Sequence, residues 1–146
     1  MAFSAKISTI IHATEDPERV ATAIRNLSLG EMPVGSTVRR AKGHHGNEIV
    51  TMAFTIRNAK NVESFLRNIW HGLSQLDRTE IHSSLASRID NAGTLFLRID
   101  KQEALKGRIR LQDTDPIKIA ISFRTMSPKG VGFVGNIQKR LEEIQR

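Results

Sequence analysis

The sequence contains no cysteine. A disulfide framework and every thiolate metal site are thereby excluded, and nothing points to an oxidising compartment. Long apolar runs are missing as well. No stretch approaches the roughly 18 residues that a bilayer-spanning helix needs. The early run Ile7-Ser8-Thr9-Ile10-Ile11 is too short for the apolar part of a secretory signal before polar residues follow. A cytoplasmic protein with no membrane partner is expected. No nucleophile elbow, HExxH pair or clustered-carboxylate signature occurs, which argues against an enzyme and offers no cofactor site. There is no internal repeat, low-complexity tract or linker to divide the 146 residues, so a single domain is expected. A chain of this size buries roughly two-thirds of its unfolded surface and needs no staples.

Acid is the other shortage: 15 Asp and Glu stand against 22 Lys and Arg, giving a net charge of +7 and a pI near 10.4. That balance suits an acidic partner such as nucleic acid, and by itself it suits a charge that serves only solubility equally well.

What is present reads as alternating strands and amphipathic helices. Phe3–Ala13 alternates imperfectly around Ile7 and Ile11 and predicts a strand. Thr14–Glu18 carries a helix start, with Asp16 as cap and Pro17 suited to the first helical position. Val20, Ala23, Ile24 and Leu27 form that helix's apolar stripe, with Gly30 as its stop. Strands are expected at Val34–Lys42 and Glu48–Arg57, joined by Gly43-His44-His45-Gly46-Asn47, whose glycines and asparagine suit a hairpin connection. Asn58 caps a helix with the stripe Val62, Phe65, Leu66, Ile69, Trp70, Leu73 and Leu76. A second helical stretch runs from Asp77 or Thr79 to Ile89, and Asn91–Gly93 ends it. Leu95–Leu111 predicts two alternating strands around a one-turn helical crossing at Lys101–Lys106. A turn at Gln112–Pro116, a strand at Ile117–Arg124 and a helix at Val131–Arg146 complete the chain.

Alternation sorts the C-terminal strands into an oily face and a cationic one. Leu95, Leu97, Ile99, Ile109, Leu111, Ile117, Ile119, Ile121 and Phe123 can pack beneath helices. Phe96, Arg98, Arg108, Arg110, Lys118 and Arg124 then share the opposite face. Arginine offers a planar fork for phosphate, and an exposed Phe is a sequence-tolerant base platform. A second candidate is the hairpin end, Arg39, Arg40 and Lys42 running into Gly43, His44, His45, Gly46 and Asn47. There a glycine-bearing loop brings backbone N–H groups to a phosphate while flanking cations neutralise it. It lacks the glycine spacing of nucleotide-binding loops. His44 and His45 diverge as neighbours and have no third ligand nearby, so no metal is expected. Asp100 and Glu103 could act as an acid–base pair, but alternating signs around Ala104 and Leu105 suit charges that satisfy one another. Trp70 lies on an apolar stripe and is assigned to the core. His12, His71 and His82 carry no special expectation.

Gly43–Ile49 (GHHGNEI), Leu97–Leu111 (LRIDKQEALKGRIRL) and Asp115-Pro116-Ile117 together resemble an archaeal family of small RNA-binding proteins described as exosome subunits. The resemblance spans nearly the whole chain. It implies a two-layer α/β domain related to the large-subunit ribosomal protein that cradles a small ribosomal RNA. It also implies RNA binding without catalysis, with Gly43, His44, Gly46 and Asn47 in the turn and Arg98, Asp100, Lys101, Gln102 and Gly107 in the crossing.

The expectation is therefore one α+β domain whose mainly antiparallel sheet is covered by helices on one side, in the manner of a ribosomal-protein-like RNA-binding fold. RNA is the expected partner, with exosome or ribosomal components beside it. Arg39, Arg40, Lys42, Gly43, His44, His45, Gly46, Asn47, Arg98, Lys101, Gln102, Arg108 and Arg110 are its expected contacts. The alternative is an assembly module in which Phe96 marks a homodimer interface.

Overall fold

The computed structural model describes residues 2–28, 37–42, 48–124 and 131–145, apart from the side chains of Thr37, Arg39, Lys42 and Val131. The first alternating stretch is strand β1, Ala2–Ile11. Helix α1, Pro17–Leu27, starts as its sequence dictates: the Asp16 side chain accepts from the Glu18 N–H at 3.0 Å, and Pro17 follows the cap. Strands β2 (Thr37–Lys42) and β3 (Glu48–Ile56) come next. The expected stop at Gly30 and the hairpin residues Gly43–Asn47 lie outside the described residues. Helix α2, Ala59–Gly72, is capped by Asn58, which accepts from the N–H groups of Lys60 and Asn61.

The second helical stretch is two helices, α3 (Gln75–Ser83) and α4 (Leu85–Arg88). It begins earlier than its apolar spacing suggests because the Ser74 hydroxyl caps Asp77 N–H. Leu76 consequently leaves the stripe of α2 and is 79% exposed. Strand β4 (Thr94–Ile99), helix α5 (Lys101–Leu105), strand β5 (Ile117–Phe123) and helix α6 (Val131–Gln145) follow.

One expectation fails in this region. Arg108–Leu111 does not form a strand but an irregular segment with a single bridge, Leu111 to Ile99. Its backbone finds other partners: Arg108 N–H donates to the Glu103 carbonyl, and Leu111 N–H donates to the Asp77 carboxylate at 3.1 Å. Ile109 instead packs on α2, where a Cβ at Gly72 would stand 2.5 Å from its Cδ1.

The five strands form one sheet in the order β2-β3-β1-β5-β4, and every pairing is antiparallel. Strand β1, first in the chain, is therefore central. Because side chains alternate, the register assigns each residue a face. Ala5, Ile7, Thr9 and Ile11 share one face with Met52, Phe54, Ile56, Ile117, Ile119, Ile121, Leu95, Leu97 and Ile99, all of them buried. Helices cover this face. Val20, Ala23, Ile24 and Leu27 of α1, Phe65, Leu66, Ile69 and Trp70 of α2, and Phe133, Ile137, Leu141 and Ile144 of α6 join the same core. Fully burying one such side chain contributes about 1.5–3 kcal/mol, so the β4–β5 edge is firmly anchored. By contrast, Val38 on the other edge strand is 54% exposed, and the ladder to β3 holds β2 in place.

Polar bonds join the helices. Asn26 donates to the carbonyls of Ala104 and Leu105, Asn68 to that of Leu27, and Arg140 pairs with Glu63 at 2.6 Å. No helix among the described residues is long and apolar enough to cross a membrane.

Candidate nucleic-acid interface

Among the described residues, no element covers the face turned away from the helices. Its rows follow from the register. Ser4, Ser122 and Thr94 form one row, and Thr55, Lys6, Ala120 and Phe96 form the next. Thr37, Ala53, Ser8, Lys118 and Arg98 then line up, followed by Arg39, Thr51 and Ile10. No acidic residue occupies any of these strand positions. Phe96 is 45% exposed and stands opposite small Ala120. Lys6, Arg98 and Lys118 have no ion pair among the described residues. At the far end Arg124 lies over the Phe3 ring, 5.1 Å from its centre.

The expected contact residues do not stay together. Arg98 belongs to the open face. Arg39 and Arg40, neighbours in sequence, fall on opposite faces: Arg39 stands opposite Thr51, whereas Arg40 stands opposite Val50 on the helix side and pairs with Glu48 at 3.2 Å. Lys42, opposite Glu48, shares the side of Arg40. Gly43, His44, His45, Gly46 and Asn47 lie outside the described residues. Arg108 and Arg110 are exposed on the irregular segment, with Arg108 3.7 Å from Glu103. Gln102 is exposed beside the start of α1, in a cleft with Asp16 and Arg19.

Lys101 is a correction. It is 4% exposed, and its ammonium donates to the Ile10 carbonyl at 2.8 Å, Glu15 at 3.1 Å and Asp115 at 3.1 Å. A side chain with its donors so engaged is no surface contact for a phosphate. The rest of the crossing motif is structural in the same way. The Asp100 side chain caps α5 by accepting from Glu103 N–H, Ala104 is buried, and Gly107 leaves the helix at φ +81°, where a glycine is favoured.

Lys101 also organises a place that the sequence did not announce. His12 Nε2 lies 2.8 Å from Asp115 Oδ1, the oxygen that Lys101 also holds. His12, Glu15 and Asp115 bring ligand-type atoms within 4.8 Å of one another, but the Lys101 ammonium already bridges the two carboxylates as their cation. Burial raises the Asp115 pKa, and the hydrogen bonds from His12 and Lys101 together with the Lys101 charge outweigh it. The net direction is below the ordinary carboxylate value. Asp115 adopts φ +47°, uncommon for a residue with a side chain and more so before proline.

These groups close one end of the open face into a groove of about 600 Å³, lined by Ser8, Ile10, His12, Thr51, Arg98, Asp113, Asp115, Pro116 and Lys118 among others. Lys6, His12 and Asp115 were missed as site residues. Lys6 could have been found by carrying the alternation argument into the first strand; His12 and Asp115 meet only in three dimensions.

Fold and site together define an α+β protein with one helix-covered sheet face and one cation-bearing face that no described residue covers. A family model described as RNA binding matches residues 4–123, and the chain belongs to that family. An RNA-binding protein of Pyrococcus abyssi is 31% identical over 97% of this chain and 94% of its own length. A solved structure from Archaeglobus fulgidus, described as DUF54, has a TM-score of 0.82 at 30% identity, covering 97% of this chain and 99% of that one. A DUF54 protein from Methanothermobacter thermautotrophicus gives a TM-score of 0.79 at 28% identity, covering 97% and 98%.

Proposed function

We propose that this protein binds structured RNA without turning it over, holding the phosphate backbone on the open sheet face and reaching toward the Arg39–Asn47 hairpin end. The observation that carries this is a five-stranded face with no acidic strand position, on which Lys6, Arg98 and Lys118 stand beside Phe96 with no ion pair among the described residues. Unpaired cations on a flat surface serve phosphates, and an exposed ring serves a base. Membership of a family described as RNA binding supports the same reading. A cytoplasmic role in RNA processing or degradation, beside exosome or ribosomal components, is its natural extension from the family resemblance.

A homodimer through this face is disfavoured by its charge, since an isologous contact packs one patch against its own copy and would oppose Lys6, Arg98 and Lys118 to like charges.

Binding measured by anisotropy against a structured RNA across a salt series tests the proposal. Affinity is expected to fall with a log–log slope of about −0.7 to −0.9 per neutralised phosphate, and Lys6→Ala and Lys118→Ala are each expected to reduce its magnitude by about one. Arg39→Ala should flatten it more than Arg40→Ala, whose cation is paired and on the other face. Salt-insensitive association, or slopes unchanged in the Lys6 and Lys118 variants, would overturn the assignment.

A further inference from the structure

The groove at the end of the open face combines two features that a plain phosphate track does not need. One is repulsive. Arg98 and Lys118 are direct cross-strand partners, and like charges so placed are destabilising until an anion joins them. The other is a rigid acceptor. Both bonds to Asp115, from His12 and from buried Lys101, fall on Oδ1, so Oδ2 has no partner among the described residues, and the carboxylate remains 43% exposed. Its backbone stands at φ +47°. Ile10 and Pro116 line the same groove and offer apolar surfaces suited to a sugar or base edge.

An anion-seeking pair and a hydroxyl acceptor across a small apolar floor match the two ends of one ribonucleotide. The volume of about 600 Å³ falls within the range of small-ligand pockets. We infer that this groove is a subsite for a single unstacked ribonucleotide, its phosphate between Arg98 and Lys118 and its 2′-hydroxyl donating to Asp115 Oδ2. The inference rests on the RNA-binding proposal and deepens it: the 2′-hydroxyl is the group by which a protein tells RNA from DNA, and this acceptor would read it.

The test uses the full chain labelled with nitrogen-15, titrated with adenosine 5′-monophosphate and with its 2′-deoxy counterpart. Amide shifts are expected at Ser8, Thr51, Asp115 and Lys118, saturating about tenfold earlier with the ribonucleotide, as suits one hydrogen bond to a charged acceptor. Arg98→Ala with Lys118→Ala should abolish the shifts. Asp115→Asn should bring the ribonucleotide and deoxyribonucleotide titrations together. If that variant fails to fold, the double cation variant, altered only on the exposed face, still decides. Shifts elsewhere, or shifts in the groove that survive the double variant, overturn the subsite. Parallel binding of a long RNA keeps the two claims apart. Long RNA bound with salt dependence while the groove stays silent leaves the general reading standing and removes the subsite. A responsive groove in a chain that binds no long RNA does the reverse.

Discussion

Lys101 shows how one side chain can carry both a fold and a site. Its ammonium sits at the junction of β1, the turn after β1 and the turn before β5, touching Ile10, Glu15 and Asp115. Breaking a buried pair by removing one partner costs about 3–5 kcal/mol, and the partial exposure of Asp115 argues for the lower end. Lys101→Met is therefore expected to destabilise the chain by about 3 kcal/mol in denaturant unfolding, while leaving the core side chains in place. The depressed Asp115 pKa adds a pH signature. Because the folded value lies below the unfolded one, its stabilisation is complete above about pH 4 and is lost as pH falls through the folded value. Acid titration of unfolding free energy should lose this component in Asp115→Asn. Phe96 makes a simpler case: if a base stacks on its ring, Phe96→Ala should weaken RNA binding by about 1–3 kcal/mol with the salt slope unchanged, as measured by the same anisotropy assay.

Among the elements, the two edges of the sheet are held by different means. Strand β4 buries Leu95, Leu97 and Ile99, whereas β2 hangs on its ladder with Val38 exposed. Amide hydrogen exchange is expected to open β2 well before the other edge strand, β4, since protection follows buried contacts. Equal protection in the two strands would contradict this account. The same contrast explains what the sequence revealed. Strong alternation at Thr94–Ile99 and Ile117–Phe123, and the caps at Asp16 and Asn58, were legible because they depend on near neighbours. Arg108–Leu111 alternates just as well, yet it meets β4 only through bonds around the Leu111 bridge, while the N–H groups of Arg108 and Leu111 turn to the Glu103 carbonyl and the Asp77 carboxylate. Grouping Arg39 with Arg40 overlooked the pleat, which sends adjacent residues to opposite faces. The crossing motif Asp100–Gly107 was recognised, but its residues proved to be a cap, a buried ion and a turn glycine more than ligands.

For the molecule as a whole, the uncovered face is a product of topology as much as of composition. All the strands meet in one sheet whose helices gather on the other side, so every second residue of five strands is presented together. That gathers Lys6 with Lys118 and Arg98, residues far apart in the chain. The same order sets a condition on assembly. Central β1 hydrogen-bonds to β5, and the Thr9 hydroxyl reaches the Pro116 carbonyl 107 positions later. During synthesis β1 must wait, one edge unpaired, until β5, more than a hundred positions later, has emerged. Such long-range closure slows folding and leaves an exposed strand edge to be guarded in the interval. Substitutions within β5, such as Ile119→Ala, are thus expected to raise aggregation during refolding more than equally destabilising ones within α6, as light scattering after dilution from denaturant would register.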